Sequence, residues 1–306
     1  MDCNLKEQKV ATCKEQSKEM KLEIFDERRC ALGEGPTSSG QLNNHVMWID
    51  ILSFKVLWRE IDTGEIGSFA TPAEIGFALP RKNSGIVLGH ASGATLRDAD
   101  GSEAALPSWS HAEREPLKVP VRWNDAKVSP HGELFAGTMA FDGAKDAGSL
   151  YKYSKDGKKI TKLLSPVSIS NALDWTPDGS YFYYVDTLTM QLDKFDYSES
   201  GITNRRTLVK FDQSDGMPDG GCSDSEGGMW IGFWGGSHLR RYDSAGKKTH
   251  EIKMPVKNVT SCAFAGRNLD KLIITTASTD DADNPQSGMT FIGSPGITGN
   301  KTVLFN

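Results

Sequence analysis

Four oxygen-bearing side chains recur at one place in a repeated pattern: Glu34 in ALGEGP, Asn124 in RWNDAKV, Asn171 in ISNALDW and Asp219 in MPDGG. Each precedes a short apolar run by a similar interval, 16 residues before Asp50, 13 before Gly137, 15 before Asp186 and 13 before Gly232. Two carboxylates and two carboxamides brought to one point would repel and desolvate one another unless a cation joined them. Oxygen donors of this kind suit calcium, magnesium or manganese, admit zinc, and exclude the soft metals that thiolates hold. The pattern does not choose among these ions. Each residue also has an ordinary explanation. Asp219 lies in Pro-Asp-Gly, the tripeptide that marks a hairpin turn at Pro177, Asp178 and Gly179, while Asn124 and Asn171 suit turns and Glu34 a solvated loop. Their shared position in the repeat is what favours a joint role.

Other chemistries find no support. The six histidines, His45, His90, His111, His131, His238 and His250, form no HExxH or close pair. No GxSxG elbow, GxGxxG turn or GxxxxGK[ST] loop occurs. Cys3, Cys13, Cys30, Cys222 and Cys262 are odd in number and widely spaced, so neither a disulfide framework nor a thiolate zinc site is expected. A reducing, cytoplasmic setting fits them. With 35 Lys and Arg against 40 Asp and Glu, a net charge of −5 argues against a nucleic-acid partner. No apolar run reaches 18 residues, so no membrane partner is expected either. Residues 1–20 alternate Lys and Glu without an apolar core, which reads as a charged leader, disordered or a short helix, and not a secretion signal.

The elements that must position the four residues are short strands. Apolar runs end at Asp50, Gly89, Gly137, Asp186, Gly232 and near Thr275, at intervals of 39, 48, 49, 46 and 43 residues. Those intervals suit a propeller blade of about 40 to 50 residues. Alternating strands such as KVLWREIDTGE and GSLYKYSKDGKK follow most of the runs, and turns such as SPHGE, TPDGS and SEGG precede them. Six four-stranded antiparallel meanders predict an all-β, six-bladed β-propeller spanning residues 21–306 as one domain, with stacked β-sandwiches as the competing architecture. The four residues fall where loops enter the innermost strands. Gly76 and the pair Thr260, Ser261 occupy that place in the other two units. MKLEIFDERRC and KTVLFN lack units of their own and are expected to close the ring jointly. The acidic stretch 279–290 reads as a long surface loop without the spacing of an EF-hand.

LGEGP at 32–36, RWNDAKVSPHGELFAGTM at 122–139, SISNALDWTPDGSYFYYVDT at 168–187 and MPDGGCSDSEGGMWIGFWGG at 217–236 resemble the gluconolactonase family that includes regucalcin and luciferin-regenerating enzymes. The resemblance implies one divalent ion held by Glu34, Asn171 and Asp219, with Asn124 as a further or water-mediated ligand. It also implies that Arg122 and Asn124 hold a hydroxylated lactone. Asp142 stands where regucalcin-like members carry Glu, and Ala172 where many carry Gly. The implied activity is metal-dependent hydrolysis of a small lactone, foremost a sugar lactone, with Asp219 as general base and Arg122 and Asp142 orienting hydroxyls. A metal-dependent esterase or phosphotriesterase, or a non-enzymatic calcium-binding propeller, remain alternatives. The expected partner is the small-molecule substrate, for a monomer or weak homodimer.

Overall fold

The computed structural model describes residues 20–38, 44–91, 93–113 and 119–306, so the expected leader lies, up to residue 19, outside the described residues. Twenty-four strands form six four-stranded antiparallel sheets arranged as a six-bladed β-propeller. Blades 1 to 5 span residues 33–70, 75–105, 121–167, 170–210 and 217–253. Their innermost strands are Gly33–Ser38, Ile75–Pro80, Val121–Val128, Ser170–Trp175 and Met217–Ser223. Blade 6 begins with Asn258–Ala265 and Lys271–Ala277 and adds Thr290–Gly293. Its outermost strand is Glu23–Asp26, from the other end of the chain.

The apolar runs used to count the repeat are the second strands of the blades. They read as continuous apolar stretches because neighbouring blades cover both of their faces: in His45–Asp50 every residue after the first is buried. The outer strand Ile66–Ala70 instead alternates exposed with half-buried positions. The core therefore lies between blades. Trp123, fully buried, meets Phe77 of blade 2 and Tyr151 of its own blade edge-on at centroid distances of 6.0 and 5.7 Å. At the blade-2 entry position there is no room for a side chain. A Cβ at Gly76 would sit 2.1 Å from the Trp123 carbonyl oxygen, so this blade-2 position serves packing.

The two orphan segments do not close the ring together. Glu23–Asp26 alone takes the single vacant strand position, pairing with Thr290–Gly293. The C-terminal segment becomes a strap across the channel end remote from the four repeated residues. Gly299 bridges to Asp224 of blade 5, Asn300 donates to Ser223 Oγ at 3.1 Å, and Phe305 pairs in parallel with Arg81 at the end of blade 2. Beneath the strap a cavity of about 280 Å³ is lined by Lys127, Asp174, Cys222 and Asn300 among others. The reason for this route is Phe305, which is 1% exposed and packs among Leu79, Val128 and Tyr153 between blades 2 and 3. Phe305→Ala should lower the unfolding free energy in urea by about 3 kcal/mol, the usual cost of an emptied aromatic core site. A loss under about 1 kcal/mol would show that the strap is not part of the cooperative core.

The turn at Pro177–Gly179 and the long loop between Lys271–Ala277 and Thr290–Gly293 are both found as expected. Cys30, Cys222 and Cys262 are buried free thiols. Among the described residues no helix is long and apolar enough to cross a membrane.

Candidate functional site

Each of the four repeated residues stands in the first half of an innermost strand, at the same end of the channel. Local hydrogen bonds hold the loops that deliver them. In blade 1 the carboxylate of Asp50, at the end of the second strand, accepts from Ala31 N and Leu32 N at 3.0 and 3.1 Å, fixing the approach to Glu34. In blade 4 Asp186 does the same for Ser168 N and Ile169 N, both at 3.0 Å, just before Asn171. The Asp that ends these apolar runs is thus a loop clamp. Glu34 then turns its Oε2 onto the amide of Gly35 at 2.7 Å, which Gly35 permits by taking a φ of 53°.

Hydrogen bonds join three blades into one chain of contacts. Arg122 donates from Nη1 to Asn124 Oδ1 and to its neighbour's carbonyl, Trp123 O, both at 2.9 Å. Asn124 Nδ2 donates to Ser170 O at 2.8 Å and to Asn171 Oδ1 at 3.1 Å. Asn171 Nδ2 donates to Thr187 Oγ1 at 2.9 Å, and that hydroxyl donates to Pro218 O at 2.8 Å. Asn171 also hydrogen-bonds the Asp219 carboxylate, which accepts from the Gly220 amide as well. Both carboxamides consequently have fixed orientations.

Glu34 joins the group through charge. Burial raises its pKa well above the ordinary carboxylate range, and the charges of Asp219 and Asp125 raise it further against the pull of Arg122. Asp219 is pushed up to about 8, chiefly by burial and then by Asp125. Asp125 itself rises to about 6 through burial. Three carboxyl groups thus share a region in which they cannot all be charged without a counter-ion. Arg122 supplies only part of the compensation, because Glu74 also holds it at 3.9 Å.

Among the described residues no three His, Cys, Asp or Glu side chains are grouped to hold a metal. The candidate donors are two carboxylates with carboxamide oxygens. That all-oxygen set, short of positive charge, fits a hard divalent cation. Asp142 is not brought into the group. It is exposed in the loop after the second strand of blade 3 and its Oδ1 accepts from Ala144 N at 3.0 Å.

Asp125, Glu74 and Thr187 escaped the sequence reading. Asp125 directly follows Asn124, where strict strand alternation would put it on the other face; a register shift falls between Trp123 and Ala126, and the charge of Asp125 acts on both Glu34 and Asp219. Glu74 precedes the blade-2 entry strand by one residue and was visible only by that position. Thr187 gave no signal. Thr260, read as the blade-6 entry residue, ties blades together by donating to Gly33 O at 2.6 Å. Ala172 sits at a φ of 47°, a left-handed conformation that an L-residue tolerates at a cost of about 1 kcal/mol.

Fold and site together define a six-bladed propeller carrying an oxygen-rich, charge-frustrated pocket at one mouth of its channel. The chain belongs to the SMP-30/Gluconolactonase/LRE-like family, whose region matches residues 32–278. It is 32% identical to regucalcin of Danio rerio over 283 residues, covering 89% of this chain and 93% of that protein. It is 34% identical to YvrE of Bacillus subtilis, a protein named provisionally as a sugar lactone lactonase, over 82% of this chain and 85% of the relative. Among solved structures, a calcium-binding protein, regucalcin, from Agrobacterium tumefaciens superposes with a TM-score of 0.84 at 29% identity, covering 94% of this chain and 98% of its own.

Proposed function

We propose that the chain is a divalent-cation-dependent hydrolase that opens the ring ester of a small lactone. The observation that carries this reading is the convergence of Glu34, Asn171 and Asp219 in a pocket where burial and mutual repulsion hold the carboxyls' pKa values high. Glu34, Asn171 and Asp219 would hold the cation. Asn124 stands behind them, since its Oδ1 is taken by Arg122 and its Nδ2 orients Asn171. A bound cation would polarise the ester carbonyl and make the attacking water more acidic.

The chain's own residues account for the rest. Asp219, ionised once the site is neutralised, accepts a proton from water as the water oxygen bonds to the carbonyl carbon. The ring C–O bond then breaks, and the same proton passes to the departing ring oxygen, leaving a hydroxy acid. Arg122, clamped by Glu74 and by Asn124, keeps further N–H donors for a substrate oxygen. The bound-back carboxylate of Asp142 leaves hydroxyl recognition mainly to Arg122.

The test is proton release by metal-stripped protein offered aldonolactones with and without calcium, zinc, magnesium or manganese. Hydrolysis that returns with the ion and is absent from stripped protein is the expected result. Binding of the ion without ring opening of any lactone would move the assignment to a non-enzymatic cation-binding propeller.

A further inference from the structure

Large apolar side chains exposed to solvent are distributed unevenly over this molecule. Of the seven such residues among those described, five lie at the channel mouth that carries Glu34 and Asp219: Leu52, Phe54, Phe141 and Leu188 on connections and Met217 at the start of an innermost strand. The other two, Ile24 and Ile66, belong to outermost strands. The described connections at the opposite end carry none of the seven. Single exposed apolar residues are common on any protein, whereas segregation to one face is not.

Three of the five follow one another round consecutive blades. Phe141 directly follows the second strand of blade 3 and is 48% exposed; Leu188 lies in the turn Thr187–Thr189 after the second strand of blade 4 at 37%; Met217 opens the innermost strand of blade 5 at 41%. These are the blades that supply Arg122 and Asn124, Asn171, and Asp219 respectively. The hydroxyl of Thr187, adjoining Leu188, donates to the carbonyl of Pro218, adjoining Met217, so these two rim residues are held close across the blade boundary. The half-buried Ile169 lies between the blade-3 and blade-4 members, bridged to Met139 two residues before Phe141. The result is an apolar crescent beside the polar pocket, on the side from which the pocket's hydrogen-bonded residues come. On the same loop as Phe141, Asp142 directs its carboxylate into its own turn, where it caps Ala144.

We infer that the site takes lactones bearing an alkyl or aryl substituent, with the ring ester at the polar pocket and the substituent lying on Phe141, Leu188 and Met217. This rests on the lactone-hydrolase reading and names the substrate class within it. A polyhydroxylated ring would leave three apolar side chains in water and find few hydroxyl partners, whereas an alkyl chain would remove apolar surface on both molecules from solvent. The three rim residues are specificity determinants and take no part in the bond-breaking step.

The experiment uses the full chain supplied with its activating cation and three lactones of one ring size: δ-gluconolactone, δ-valerolactone and the pentyl-substituted δ-decalactone. The kcat/KM for δ-decalactone should exceed each of the others by about tenfold, as expected for a few methylenes leaving water on binding. The combined variant Phe141→Ser, Leu188→Ser, Met217→Ser should bring the ratio of δ-decalactone to δ-valerolactone close to unity. Preference for δ-gluconolactone, or a ratio unmoved in the variant, would overturn the inference while leaving lactone hydrolysis intact. Failure to open any of the three would remove the hydrolase reading itself.

Discussion

Asp219→Asn is expected to abolish cation-dependent ring opening while making the metal-free protein more stable. The two effects have one cause. The Asp219 carboxyl, ordinarily near 3.8, is pushed up to about 8 by burial and by Asp125. Between those values the folded state keeps a proton that the unfolded chain has released, so the stability of the metal-free protein falls as pH rises through that window. Above it the folded chain must carry a charge its surroundings disfavour. Asparagine is neutral at every pH and of similar shape, and it keeps an amide able to hydrogen-bond Asn171. The variant should therefore lose the Asp219 share of the pH slope, leaving that of Glu34 and Asp125, and gain about 1–3 kcal/mol near pH 8, read from urea unfolding in chelator. Proton acceptance and one of two anionic donors are lost at once, so kcat/KM should fall by about 10³-fold or more. A variant equally active, or one that is less stable than wild type in chelator, would show that Asp219 is structural.

The architecture was legible because blade building leaves regular marks: apolar second strands covered on both faces, and turns rich in Gly between them. The site was legible in part, because Glu34, Asn124, Asn171 and Asp219 share one register position and the innermost strands are in register at the axis. What the spacing hid has physical reasons. Strict strand alternation would put Asp125 on the face opposite Asn124, but a register shift after Trp123 breaks the alternation where the site is built. The path of KTVLFN depended on a partner far away in sequence: Phe305 fills a gap between blades 2 and 3, and no local pattern announces that gap. The family resemblance put Asp142 where regucalcin-like members carry a Glu, yet a short turn gives its carboxylate a nearby donor in Ala144 N. Local hydrogen bonds made within two residues prevailed over a distant role.

The affinity of the metal-free protein for a divalent cation should fall about tenfold for each pH unit below about 8, because filling the site requires a proton to leave. Two opposing influences act on the carboxyls. Arg122 favours their charged forms, whereas burial and the neighbouring acids favour the protonated ones, and burial is the largest influence on both Glu34 and Asp219. The protonated form of Asp219 therefore prevails near neutrality until a cation arrives to replace the missing positive charge. Asp125, pushed up to about 6, adds its charge over the upper part of the same range and makes the site more demanding of a cation as pH rises. Calorimetric titration with calcium or manganese at pH 6, 7 and 8 would read the effect as about a hundredfold change in Kd across the series. The same titration in buffers of different ionisation enthalpy would read the released proton directly. A Kd that is flat from pH 6 to 8 would mean that Glu34 and Asp219 are already ionised in the empty pocket, with Arg122 alone sufficient to hold them. In that case the carboxyls' high pKa values could not be what recruits the ion.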